Sequence, residues 1–458
     1  MSDILFQYEK VNPTSWAYLS SLLMLALFFK FNRVFSVRNV DLFLLILLAP
    51  GLLLVEYSFQ NEGIRANAVD MQKLGFQWLF GVGALLLARL LMDNMMVRRP
   101  LLEPNLNATG LTFLGSSLLF FLMANVVTGK PSAADISPAR PVAEMKAEPV
   151  VGETEDTFET EGPGYWLMYL LPRISTQTVI VQSDETPPDT QQERERQQQH
   201  IREVTARVMA ILSHVLIVSG LVVVGARHFD NAVAGIAAAA MYLLLPYTAL
   251  YTGDIEHALP ASILVWAIVL YRRPLAAGVL IGLASGTIYY PIFLLPLWCS
   301  FYWDRGIKRF LTGVLLAIAV LVLTLALTTD STDRFFAHLT QMFGVRLPRT
   351  ENLQGIWREG FWNSYYRLPI LIAFLLLAIS FAAWPPRKHL GTLISCTAAL
   401  MVGAQFWHAH GGGIYVAWYL PLLLLAIHRP NLEDRIALAT VAESWWQTRR
   451  KAQAAAPA

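Results

Sequence analysis

Charge is scarce in this 458-residue chain: Asp, Glu, Lys and Arg make up 15% of it, against 55% hydrophobic residues. With a mean hydropathy of +0.45, it has too little polar surface to clothe a water-soluble globule of this size, which excludes that class. The two cysteines, Cys299 and Cys396, both lie in apolar surroundings, so neither a disulfide framework nor a CxxC metal site is supported. The 35 basic and 33 acidic residues nearly cancel and form no basic stripe, which argues against a nucleic-acid partner. Met1-Ser2-Asp3 lacks the basic character of a leader, so no cleavable signal peptide is expected. Internal repeats are also missing, and with them the signature of an inverted-repeat transporter.

What is present is a series of long apolar runs. They fall at 16–32, 41–56, 77–92, 110–127, 207–225, 232–250, 259–271, 275–302, 309–327, 368–384, 390–407 and 412–428. Lipid offers no partner to a free backbone N–H or C=O, so such runs must be helices or closed barrel strands. The stretch Leu42 to Leu54 shows no period-2 alternation, which excludes the barrel. The expected fold is therefore all-α, a polytopic membrane protein with about 11–13 transmembrane or re-entrant helices.

Lys and Arg cluster in short loops at Arg33 and Arg38, Arg98-Arg99, Arg227, Arg272-Arg273, Arg305 to Arg309, Arg387-Lys388 and Arg429. Placing these in the cytoplasm puts the N-terminus outside and the C-terminus inside, in a bacterial inner membrane. Residues 275–302 then carry cytoplasmic signals on both flanks, and Thr287-Ile288-Tyr289-Tyr290-Pro291 interrupts them midway, so a re-entrant hairpin is expected. The chain divides into a four-span region 1–127, a segment 128–206, a second membrane region 207–430 and a cytoplasmic tail 431–458. Segment 128–206 is rich in Pro, Ala, Glu and Thr, and is expected to be largely disordered outside an interfacial patch at Tyr165–Leu171 and a helical extension from Gln191. Its length also suits docking of a protein partner.

Span interiors hold few polar groups: His214, read as a packing histidine, and Gln405 with His408 near one span end. His408-Ala409-His410 has the wrong spacing for two ligands on one helix face, and no metal is assigned. The chemistry gathers instead in three outward loops. Residues 57–76 carry Glu62, Arg65, Asp70 and Lys73, with Glu56 at the boundary; either a surface amphipathic helix or an acid facing a cavity fits them. Asp254, Glu256 and His257 follow Tyr251-Thr252-Gly253; they are suited to handling a proton, or alternatively to capping a helix whose dipole favours acids in its first turn. Residues 328–367 interleave Arg334, Arg346, Arg349, Arg358 and Arg367 with Trp357, Phe361, Trp362 and Tyr365, against the positive-inside bias. Guanidinium groups in that setting match phosphate, either of bulk lipid or of a bound donor.

The run Tyr251 to His257, then Arg272-Arg273-Pro274, Gly278 to Pro291 and Leu295-Pro296-Leu297, resembles the GT-C superfamily of integral-membrane glycosyltransferases. Thr287 and Ile288 stand near the place of that family's usual Lys. The resemblance implies a GT-C-like fold and transfer of a sugar from a polyprenyl-phosphate donor to an extracytoplasmic acceptor, with no further cofactor. It places the catalytic acid in the first outward loop, at Glu62 with Glu56 and Asp70 behind it, and Asp254, which would orient the sugar or acceptor, is counted with the catalytic candidates. Arg65, Glu256, His257, Arg346, Arg349 and Arg358 would bind the lipid-linked sugar. The alternatives are a non-enzymatic scaffold subunit of an envelope complex and, ranked below it, a transporter.

Overall fold

The computed structural model describes residues 12–96, 103–136, parts of 165–176, 190–342 apart from 305 and 330, and 353–430 apart from 387. Those residues are helical, with no β-strand among them. Among the described residues six helices are long and apolar enough to cross a bilayer, including Val37–Asn61, Ala68–Asp93, Gln191–His228 and Ile307–Leu327, and six shorter apolar helices pack among them. The polytopic all-α fold is what the apolar runs demand.

The first half comprises α1 (Pro13–Phe28), α2 (Val37–Ile46), α3 (Leu48–Asn61), α4 (Ala68–Asp93) and α5 (Ala108–Thr128), followed by the single turn α6 (Ala133–Ile136). Asn12 and Asn107 cap α1 and α5 by accepting backbone N–H groups. The second half opens with α7 (Gln191–His228), whose first turn is closed by a capping box between Thr190 and Glu193. It continues through α8 (Ala232–Leu244), α9 (Pro246–Leu250), α10 (Ile255–Val269), α11 (Pro274–Thr287), α12 (Leu295–Phe301), α13 (Ile307–Thr328) and α14 (Thr332–Met342). α15 (Arg367–Ala383), α16 (Leu390–Gln405) and α17 (Leu420–His428) complete it.

Residues 275–302 form a hairpin. The Tyr302 hydroxyl donates to the carbonyl of Tyr271 at 2.5 Å, so α12 returns to the end of the bundle from which α11 leaves. α13 then runs parallel to α11. Their contact depends on absent side chains: a Cβ on Gly278 would overlap the carbonyl oxygen of Phe310, and one on Gly313 that of Leu275.

At this same end lies a buried ion network. Arg89 of α4 grips Asp41 of α2 with Nε and Nη2 at 2.6 and 2.8 Å and reaches Asp93 at 3.0 Å; Arg429 closes on Asp93 at 2.9 Å. Four charges from three parts of the chain cancel in a nearly dry environment. Arg89 and Asp93 belong to a span that composition describes as apolar.

Parts of segment 128–206 are among the described residues. Asp135, Tyr165 and Tyr169 are buried, and the Tyr169 hydroxyl donates to the Asp135 carbonyl at 3.1 Å. α7 begins at Gln191, well inside the segment. The acidic run Glu153 to Asp156 and the tail 431–458 lie outside the described residues.

Candidate active site

The opposite end of the bundle collects the loops that the sequence singles out. The turn after α3 places Glu62 beside Arg358, whose Nη1 donates to Glu62 Oε1 and to Gln72 Oε1, each at 2.7 Å. Lys73 reaches the carbonyl of Gly360 at 3.5 Å. The loop after α3 and the segment around 358 are thereby tied together, although 296 positions separate Glu62 from Arg358. Both side chains of that ion pair remain more than a third exposed. Arg65 is held within its own loop, donating to the Tyr57 hydroxyl and lying over that ring. Asp70 is exposed in the first turn of α4, where the helix dipole favours it. Arg346 and Arg349 lie outside the described residues.

Deeper in, the start of α10 gathers carboxyl groups. Asp254 occupies the N-cap position, yet its side chain makes no capping hydrogen bond. The cap comes from elsewhere in the chain: the N–H of Ile255 donates to Asp135 Oδ1 at 2.9 Å. Asp135 Oδ2 accepts from the Ser132 hydroxyl at 2.5 Å. Burial, and next the nearby charge of Asp254, push the Asp135 carboxyl up to about 7, against the opposing pull of its hydrogen bonds from Ser132 and Ile255. Glu256 adds to the upward push.

His257 stands beside these acids, stacked between Tyr251 and Tyr415 with ring centroids 4.6 Å from each. The Tyr247 hydroxyl meets His257 Nδ1 at 2.5 Å, and Glu256 Oε1 lies 3.5 Å from Nε2. Burial and the charges of Glu56, Asp254 and Glu256 raise the Tyr251 phenol, and that hydroxyl is buried without a partner. Glu56 thus joins α3 to this cluster electrostatically. His214 has a separate role: Tyr242 meets its Nδ1 at 2.9 Å and Nε2 meets the carbonyl of Thr252 at 3.0 Å, which locks α7 against the segment that leads into α10.

A second histidine faces the same aromatic wall. Tyr289 donates to Tyr290 at 2.8 Å, and Tyr290 reaches His408 Nδ1 at 2.5 Å. His408 Nε2 is buried and unpartnered. Its ring lies 4.9 Å from that of Tyr415, so Tyr415 contacts both His408 and His257. Burial, then His410, Arg367 and His257, hold His408 well below the usual imidazole range. Arg367 is itself buried and donates to the carbonyl of Trp407 at 2.6 Å. The site as built therefore contains three carboxylates, two histidines, a buried guanidinium and stacked aromatic faces.

Of the residues expected from sequence, Asp254, Glu256 and His257 come together here, while Glu62 and Arg358 form a bridge at the rim. Asp135, His408 and Arg367 were not assigned to the site. Asp135 was readable only as a capping pattern, Ser132-Ala133-Ala134-Asp135, inside a stretch that composition marks as unstructured. Arg367 was one of several arginines with nothing to distinguish it.

No curated protein and no solved structure matches the chain. Residues 199–406, which run from within α7 to the end of α16, match the family model of glycosyltransferase family 87, a GT-C type of integral-membrane family, and this supports a membrane glycosyltransferase.

Proposed function

We propose that the chain is a multi-pass inner-membrane enzyme that transfers a sugar from a polyprenyl-phosphate donor to an acceptor hydroxyl on the non-cytoplasmic face. The observation that carries this reading is the meeting of Asp254, Glu256 and His257, at the start of α10 and inside the segment matched by a glycosyltransferase family, with Asp135 from outside that segment. In the proposed step Asp135, as its carboxylate, takes the proton of the acceptor hydroxyl. The acceptor oxygen bonds to the anomeric carbon as the bond from that carbon to the phosphate oxygen breaks, and the electron pair leaves with the phosphate. A group titrating near 7 suits this proton transfer. Asp254 and Glu256 orient the acceptor or the sugar hydroxyls, and the aromatic wall supplies flat faces for the sugar ring.

Departure leaves extra negative charge on the phosphate, and stabilising that charge is the protein's main lever on rate. The His408 Nε2 atom and the Arg367 guanidinium are the buried nitrogens of the site suited to it, with Arg358 at the rim. Glu62 is a weaker candidate for the base because its carboxylate is engaged with Arg358 in an exposed pair. The test is transfer of a radiolabelled sugar by purified protein from polyprenyl-phosphate donors. Turnover that is lost in Asp135→Asn and in Asp254→Asn supports the reading. Absence of transfer by the natural protein with every donor, alongside stoichiometric co-purifying proteins, would replace it with a scaffold role.

A further inference from the structure

α10 carries a proline inside it, at Pro260. A proline has no N–H to give, so it cannot supply the bond that a helix offers to the carbonyl four residues earlier, here that of Glu256. The structure fills this place from far along the chain: Trp418 Nε1 donates to the Glu256 carbonyl at 3.0 Å, across 162 positions. An indole N–H can only donate, and a carbonyl left bare in a protein interior is costly, so the two groups complement each other. Trp418 is itself buried, in the short turn Val416–Trp418 that precedes α17.

The same side chain reaches α10 a second time through its ring. Trp418 stacks on Tyr415 at 4.5 Å, Tyr415 on His257 at 4.6 Å and His257 on Tyr251 at 4.6 Å, so four rings form one column. Trp418 also contacts Tyr290 and His408, with centroids 5.4 and 5.5 Å away. It therefore joins the His408 group to the backbone of the first turn of α10. Asp135 holds that turn from its N–H side, at Ile255, and Trp418 from its carbonyl side, at Glu256. Both tethers come from outside the segment 199–406 matched by the glycosyltransferase family. We infer that Trp418 is a positioning residue for the proposed transfer: by donating to the carbonyl that Pro260 leaves without a helix partner, it fixes Glu256 and His257 relative to His408. Its kinetic consequence rests on the transferase reading, and the tether itself on the helix geometry alone.

The test sets Trp418→Phe, which keeps a flat ring and loses the donor, against Trp418→Phe combined with Pro260→Ala, which returns a backbone N–H to position 260. In full-length protein in detergent, hydrogen–deuterium exchange of the peptide 251–262 reads the tether. Transfer of a labelled sugar from polyprenyl-phosphate donors reads its consequence. Trp418→Phe should exchange roughly tenfold faster in that peptide and lose roughly tenfold in kcat per folded molecule, with KM little changed, the factor for one hydrogen bond in a dry site. The double variant should recover most of both. Natural exchange rates in Trp418→Phe would overturn the tether, as would a double variant no better than the single one. Faster exchange at an unchanged kcat would leave Trp418 a structural residue and overturn its positioning role. If Trp418→Phe gives no folded protein, the double variant should fold, and failure of both would assign the indole to packing and overturn the inference. A natural protein that transfers no sugar from any donor would remove the transferase reading and the positioning role with it, while the exchange measurements still decide the tether.

Discussion

Asp135 Oδ1 accepts the backbone N–H of Ile255 at 2.9 Å across 120 positions of the chain, and so caps a helix whose own N-cap residue is Asp254. An N-terminal turn has orphan N–H groups, and an acidic N-cap ordinarily satisfies one of them with its own side chain. Here a carboxyl from another segment does so, and the Asp254 side chain is not drawn into the cap. Two acids that would otherwise compete for one helix end are brought to the same place. This separates the capping and chemical roles of Asp135, because an amide can still accept from Ile255. Asp135→Asn is expected to fold normally and lose transferase turnover by about 10²–10⁴-fold, the range for a general base. Asp135→Ala should lose the same turnover and also about 1 kcal/mol of stability with the cap. Turnover with a lipid-linked sugar and thermal melting in detergent check both. An Asn variant with full turnover would remove Asp135 from the reaction.

The same carboxyl sets a pH dependence. Its folded value, about 7, lies above the ordinary 3.8. Between those values the folded protein holds a proton that the unfolded chain has released, so stability declines as pH rises through that window and levels off above about 7. Activity should move the other way, since the base works only when ionised, and should climb through about pH 7. In Asp135→Asn that pH dependence should disappear, so the melting temperature relative to the natural protein should rise through this window and level off above about 7, and the acid limb of any residual activity should flatten. Melting curves and initial rates over matched buffers read both trends.

Glu62 and Arg358 offer a direct comparison of bridge and base. The pair is exposed, and exposed ion pairs are worth about 0–1 kcal/mol. As a bridge it should tolerate exchange: Glu62→Arg with Arg358→Glu should restore most of whatever either single change removes. As a base, Glu62 could not be moved to the other side of the pair, and the exchanged protein would stay inactive. Turnover of the two single variants and the double variant separates these outcomes.

The sequence made the helical membrane fold and the hairpin legible because both follow from composition alone: apolar length and the Tyr-Pro break. It also brought the loops with Glu62 and Arg358 into one argument, and the structure joins those two residues at 2.7 Å. Asp135 was hidden because burial is a tertiary property, and the local pattern from Ser132 to Asp135 marks a helix start and not a buried acid. In the sequence His408 stands out only beside His410, whereas the structure pairs its Nδ1 with Tyr290, 118 positions away. The Asp41–Arg89–Asp93–Arg429 network escaped for a related reason. Each member sits near the end of an apolar run, where a charge is ordinary, and only packing shows that the four are shared.

That network supports a prediction about stability rather than chemistry. Gln72 and Asp93 belong to one helix, so about 30 Å of α4 separates the network from the rim of the site. Arg89→Met would take one guanidinium away from both Asp41 and Asp93. Loss of one member of a buried pair costs about 3–5 kcal/mol. The variant should melt markedly lower and give less folded protein, while turnover per folded molecule stays near the natural value. A turnover loss at full stability would tie this end of the bundle to catalysis.

The tyrosine chain at His408 allows a graded test of the proposed phosphate contact. The proposed phosphate contact requires the tautomer in which Tyr290 donates to Nδ1 and the proton of the neutral ring sits on Nε2, the atom that has no partner in the protein. With His408 held well below the usual imidazole range, the ring stays neutral at physiological pH, and this tautomer is what makes Nε2 a donor. Tyr290→Phe removes the constraint, so the proton can settle on Nδ1 and turn Nε2 into an acceptor that faces the departing phosphate unfavourably. The expected result is a roughly tenfold fall in kcat, in the range for a lost orienting contact in a buried site, with little change in KM. Tyr289→Phe, which removes only the donor to Tyr290, should cost less, within a few-fold. His408→Gln retains a donor without the tautomer problem and should fall between His408→Ala and the natural protein. If Tyr290→Phe turned over at the natural rate while His408→Ala did not, the imidazole would be acting without the tyrosine chain. If both were silent, the phosphate contact would have to be sought at Arg367 instead.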